Sequence, residues 1–227
     1  MLFLTIGVLV IAGVVLAGLV IASQPRSASA AAIASPRVQL PAGLADGRTL
    51  GRADAPVTLE LWADFQCPVC LRFTDNIEPL LRAAYVQTGA VREVFHDFAF
   101  IGQESIQAAA AARIADAKGP GFWPMHDLLY GNQGAENGGA FSDDRLAAMA
   151  ERLGMDRTAF LAALKDPTYT DAVKAETAQG TALGVSSTPT LVIDGTMYPG
   201  LPTWDQLSAL LDARLAAVSP APSTAAS

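Results

Sequence analysis

With 227 residues, 51% of them hydrophobic, the chain is long enough to bury a proper core and is best read as one folded domain. Its formal charge of −7 excludes a nucleic-acid partner, because phosphate binding demands a concentrated Lys/Arg surface and none is visible.

The chain opens without a charged side chain through residue 25, and from Leu2 to Ala22 it is almost wholly Leu, Ile, Val, Ala and Gly. That length can cross a bilayer. We expect residues 1–23 to be a retained transmembrane anchor. The alternative is a cleaved signal peptide, for which Ala28-Ser29-Ala30 would serve as the processing site, although the apolar region of such a peptide is normally shorter. Arg26 and Arg37 follow the segment and, by the positive-inside rule, would leave the rest of the chain in the cytoplasm. Cysteine usage argues the other way: there are two, both in one motif, as expected where stray thiols are oxidised. We therefore expect a single-pass protein of the cell membrane whose folded domain lies outside the cytoplasm. Residues 24–47, rich in Ala, Ser and Pro, read as a flexible tether, and residues 218–227 as a disordered tail.

Between these lies a mixed α/β pattern over residues 48–217. Val57–Ala63 alternates as a strand does, and a helix follows from Cys67 to about Thr88, with Phe73, Ile77, Leu80, Leu81 and Tyr85 on its buried side. Val91–Phe98 is a second strand, so the unit is βαβ and its strands are parallel. Residues 102–184 contain helical pieces and no convincing strand. One begins after Ser142 with Leu146, Met149 and Leu153, another after Asp156 with Phe160, Leu161 and Leu164, and Gly154 and Gly184 sit where helices should stop. Thr190–Asp194, Gly195 and Thr196–Pro199 then read as a hairpin with a tight primed turn. Thr203-Trp-Asp-Gln206 is a capping box that opens a last helix with the stripe Leu207, Leu210, Leu211, Leu215. The layout is βαβ, a helical insertion, then ββα.

The chemistry sits at Cys67-Pro68-Val69-Cys70, just after the first strand. At a helix start, free backbone N–H groups and the positive end of the helix dipole stabilise a thiolate, so Cys67 is the expected nucleophile. Cys70, one turn deeper, can close onto Cys67 and release a bound partner by thiol–disulfide exchange. Pro68 fits the first helical turn, where its missing N–H costs nothing. Three other readings stand beside this one. An inert disulfide gains little from closing a four-residue loop. A metal would need more ligands than the two cysteines, and His96 and His126 lack paired spacing. Two buried free thiols are the third.

Taken together, Asp64-Phe65-Gln66-Cys67-Pro68-Val69-Cys70, the helical insertion and Ser187-Thr188-Pro189-Thr190 resemble the DsbA-like family of thioredoxin-fold oxidoreductases. Within it, Ala108–Ala115 and Gly121–Tyr130 are similar to the insertion of the membrane-anchored Gram-positive-type branch, though Phe122, Trp123 and His126 are more simply core residues. The resemblance implies a thioredoxin-like fold and no cofactor beyond the Cys67–Cys70 disulfide. It also implies thiol-containing secreted proteins as substrates, into which the pair introduces disulfides, and a membrane redox partner that reoxidises or reduces it. A disulfide reductase or isomerase, and a membrane-tethered binding module without redox activity, are the alternatives. It further implies a cis bond between Thr188 and Pro189, beside the cysteines, with backbone groups that bind substrate as an added strand. Two positions depart from the pattern. Leu61 stands where many relatives carry a proton-shuttling Glu; Glu60 lies on the opposite face of the strand, and Asp64 is the remaining candidate, with a solvated loop carboxylate as the alternative. Val69 stands where the strongest oxidants carry a His, and it can donate neither a hydrogen bond nor a charge. We accordingly expect a Cys67 pKa of about 5 to 6.5, between the values of a strong oxidant and of thioredoxin.

Overall fold

The computed structural model describes residues 33–34 and 43–218. The expected anchor, most of the expected tether and residues 219–227 lie outside the described residues. Among those described, no helix is long and apolar enough to cross a membrane.

The first expected strand forms as β3, Val57–Ala63, preceded by two short ones, β1 (Ala45–Asp46) and β2 (Thr49–Leu50). Its alternation is real: Val57, Leu59 and Leu61 are buried in the main core, while Trp62 packs on the other face with Phe98, Val185 and Val192. The helix read as continuous from Cys67 breaks. Helix α1 (Pro68–Asn76) ends at Ile77, α2 (Glu78–Leu81) restarts, and a π-helical turn spans Arg82–Val86. Pro79 has no N–H for the preceding turn, so the ladder cannot continue. The resulting slip in phase corrects one expected core residue: Leu80 turns outward, 44% exposed, while Glu78 and Arg82 turn inward. Strand β4 (Val91–Asp97) then pairs in parallel with β3.

The insertion is five helices: α3 (Gln103–Lys118), α4 (Phe122–Gly131), α5 (Asp143–Arg152), α6 (Arg157–Leu164) and α7 (Pro167–Leu183). Ala108–Ala112 are all buried, and such small side chains let α3 lie at the centre of the insertion. Phe122 and Trp123 are core residues, as expected. Gly154 and Gly184 carry the positive φ that ends a helix. The chain closes with β5 (Thr190–Ile193), β6 (Thr196–Pro199) and α8 (Trp204–Val218). Asp194 and Gly195 have φ of 46° and 80°, the primed turn expected, and Thr203 and Gln206 exchange both capping-box hydrogen bonds. The sheet order is β1-β2-β4-β3-β5-β6. Ala45–Asp46 therefore belong to the sheet and not to a tether; two-residue strands carry too little alternation to be seen in sequence.

Helix α7 is tied to the sheet by charge. The Glu176 carboxylate bonds Arg48 and Arg113, accepts from the Asp97 N–H at 3.2 Å and meets His96 Nδ1 at 2.8 Å. Burial alone would raise the Glu176 pKa, but the His96 hydrogen bond and the two arginines hold it down at about 2. A carboxyl depressed in the folded state stabilises above its unfolded value of 4.5, and that stability is lost as pH falls from there toward about 2. A shift of this size is worth up to ~3 kcal/mol, reduced by the neighbouring Asp97, whose burial moves it the other way. Glu176→Gln should remove this acid-sensitive arm, seen as a flatter dependence of thermal unfolding on pH between 5 and 3. An unchanged profile would disprove the role given to this cluster.

Candidate active site

The end of β3 delivers Asp64, Phe65 and Gln66 into a short loop, and α1 begins immediately after it. Cys67 caps that helix in extended conformation, φ −70° and ψ 118°, with Pro68 in its first turn. Cys67 is 6% exposed and Cys70, on the next turn, 2%; both are free thiols in this structure. The peptide between Thr188 and Pro189 is cis, as the resemblance implies. It crosses beside the cysteines, where the Cys67 thiol donates to the Thr188 carbonyl at 3.5 Å. Pro189 is buried, and its carbonyl accepts from the Gly200 N–H at 2.8 Å. On that side lies a groove of about 540 Å³ lined by residues that include Tyr198, Pro199, Gly200, Leu201, Pro202 and Leu210.

The two sulfurs are made unequal. A hydrogen bond from the Cys70 side chain brings the Cys67 thiol down to about 6, against the opposing effect of burial, with help from Thr188 and from the Cys70 and Val69 N–H groups. Burial, and then the neighbouring Cys67, push Cys70 well above the ordinary thiol range. Near neutral pH the pair therefore holds one thiolate, at Cys67, backed by a thiol at Cys70. Val69, half-buried between them, adds no donor.

Asp64 requires correction. It is not a solvated carboxylate but is 1% exposed. One oxygen accepts from the Gln66 N–H at 2.8 Å, the other from those of Phe100 and Ile101 at 3.0 and 3.1 Å. Burial raises its pKa, while those bonds and Ser105 oppose the rise. Its carboxylate thus staples the redox loop to the segment after β4. Glu60 points away from the site, toward His96 Nε2 at 3.3 Å, and Leu61 is buried. His126 lies buried among Phe65, Phe95, Phe122, Trp123 and Tyr130, with Asp127 at 3.0 Å. Among the described residues no group of three or more His, Cys, Asp or Glu is placed to hold a metal ion.

The structure adds residues that sequence reasoning missed, all from the insertion. Gln133 Nε2 donates to the carbonyls of Phe65 and Cys67 at 2.7 and 3.1 Å. The Gln66 side chain donates to Ser105 Oγ at 2.9 Å and accepts from the Asn137 N–H at 2.6 Å. Gln133 and Asn137 stand in the Gly-rich stretch after α4, which has no periodicity to mark them.

A family model described as thioredoxin matches residues 44–213. Probable disulfide bond formation protein D of Bacillus cereus is 28% identical over 171 residues, covering 74% of this chain and 78% of that protein. The crystal structure of oxidised BdbD from Bacillus subtilis superposes with a TM-score of 0.70 at 23% identity, over 75% of this chain and 93% of that one. For DsbA of Chlamydia trachomatis the TM-score is 0.67 at 21% identity, over 82% of this chain and all of that one. Helix-capping Cys67, shielded Cys70 and the cis proline beside them occupy the matched region, and this chain belongs to the thioredoxin family as a DsbA-like thiol–disulfide oxidoreductase.

Proposed function

We propose that this protein introduces disulfides into secreted or membrane proteins, working from the outer side of the cell membrane to which residues 2–22 anchor it. The observation that carries the chemistry is the unequal placing of the two sulfurs: Cys67 caps α1 against the Thr188 carbonyl, while Cys70 lies one turn deeper, so that Cys67 is lowered to about 6 and burial raises Cys70. In the oxidised enzyme a substrate thiolate attacks Cys67 Sγ, the Cys67–Cys70 bond breaks, and Cys70 leaves with the electron pair and takes up a proton. A second substrate thiolate attacks the substrate sulfur of the mixed disulfide and expels Cys67 as a thiolate. The substrate gains a disulfide, and the enzyme is left with the dithiol seen here. A membrane redox partner must then take two electrons from the pair. Substrate lies along the Thr188–Pro189 peptide and the adjoining apolar groove, its backbone paired as an added strand.

In the reduced protein, iodoacetamide at pH 7 should modify Cys67 at least ~10-fold faster than Cys70. Cys70→Ala should accumulate mixed disulfides with substrate proteins, and Cys67→Ala should accumulate none. Equal alkylation rates, or trapping by the Cys67 variant, would overturn these roles. Location is tested by fusing alkaline phosphatase after residue 217, because that enzyme needs disulfides of its own. An active reporter supports the extracytoplasmic reading, and a stable inactive one reverses it.

A further inference from the structure

The loop that presents Cys67 is gripped at its backbone from outside the βαβ unit. Gln133, two residues beyond the end of α4, uses one amide nitrogen to reach Phe65 O at 2.7 Å and Cys67 O at 3.1 Å. A carbonyl only accepts, so both contacts demand the NH2 end of the side chain and use both of its hydrogens. The Cys67 carbonyl also takes the first helical bond, from the Leu71 N–H at 3.1 Å, and the Cys67 N–H donates to Asp64 O at 3.0 Å. Both peptide groups of the capping residue are thereby fixed. The Val69 and Cys70 N–H groups at the helix start favour the Cys67 thiolate. They help a thiolate only while that sulfur stays within hydrogen-bond distance and angle, which depends on the backbone torsions of Cys67. Gln66 makes a second tie to the insertion, but through its side chain, to Ser105 and Asn137, and not through the carbonyls.

We infer that Gln133 is a positioning residue for thiol–disulfide exchange: by holding the Phe65 and Cys67 carbonyls, it keeps the Cys67 sulfur over the N–H groups that open α1. The inference rests on the reading of Cys67 as nucleophile, and it makes the helical insertion part of the machinery that sets redox strength. Gln133 is half-buried, and both hydrogen bonds of its side chain go to backbone carbonyls, so its influence passes through the backbone.

The test is titration of the Cys67 thiolate by its absorbance near ~240 nm in the reduced full-length chain, alongside thermal unfolding. Gln133→Met keeps the length and loses both donors. Its thiolate midpoint should rise by about half a unit to one unit, the size of one lost hydrogen bond, and its reduction potential should fall. Gln133→Lys restores a donor. In ~1 M salt, where its added charge is screened, it should titrate at or below the wild-type midpoint. A methionine variant that titrates with wild type while melting lower would reduce Gln133 to a structural brace and overturn the inference. If that variant does not fold, the lysine variant decides: a midpoint above wild type is fatal to the inference. A wild-type Cys67 with an ordinary thiol midpoint near ~8.5 would instead remove the nucleophile reading itself, so the two failures are distinguishable.

Discussion

Replacing Arg82 with methionine is expected to destabilise the domain by about 3–5 kcal/mol at pH 7, a large part of the stability of a chain this size. Arg82 is buried beneath the sheet, 2.8 Å from Glu78, 3.4 Å from Glu93 and 3.9 Å from Asp127, with its guanidinium 4.8 Å from the Trp123 ring centre. Methionine fills similar space, so the loss is one of charge more than of volume. Three acidic groups would then share a dry site with His126, whose pKa burial lowers. The deficit should depend on pH in a definite direction. Burial already pushes Glu78 well above the ordinary carboxyl range, and losing the cation raises it further. The unfolded chains titrate alike, so the deficit grows only as pH rises into the range where wild-type Glu78, paired with Arg82, ionises in the fold and that of the variant does not. It should be smallest near pH 5 and increase toward and above neutrality. Urea unfolding of both proteins at the two pH values is the check. A deficit under ~1 kcal/mol, or one independent of pH, would refute the electrostatic account.

Val69→His should make the protein a stronger oxidant. The more the fold stabilises the Cys67 thiolate, the more it favours the reduced form, and the higher the potential. Wild type has helix-start N–H groups and Cys70 to stabilise that thiolate, but nothing from the side chain of residue 69. Its potential should lie between about −270 mV for thioredoxin and −120 mV for DsbA, near −220 to −150 mV. Histidine at residue 69 adds a donor and a positive charge beside the sulfur, and a gain of about 30–60 mV follows, ten- to a hundredfold in the exchange constant with glutathione. Equilibration of both proteins against glutathione buffers measures it. A wild-type value below that of thioredoxin would reverse the direction to reductase. A downward shift on substitution would remove the proposed role of residue 69.

What could be read in sequence was what repeats or carries local chemistry. The alternation of Val57, Leu59 and Leu61, the Asp194-Gly195 turn and the Thr203/Gln206 capping box each specify their own structure within a few residues. The cysteine pair is equally local. The slip at Ile77 was not visible, because periodicity assigns Leu80 to the buried stripe, and Pro79 near a helix start is normally tolerated. Asp64 was misjudged for another reason. Its partners include Phe100 and Ile101, which only the return of the chain after β4 brings within reach. Gln133 and Asn137 belong to the same class, as ordinary polar residues in an aperiodic loop that acquire their role from what the insertion packs against.

The grip on the redox loop has a consequence for biosynthesis. Cys67 lies 66 residues ahead of Gln133 and 121 ahead of Thr188, so both cysteines leave the ribosome long before these two distant partners of the redox loop. A half-made chain therefore lacks those two ties, and its Cys67 has only Cys70 and the local helix start to act on it. The full setting of the Cys67 sulfur is complete only when the chain has passed Thr188, and the insertion and β5 can close over the loop.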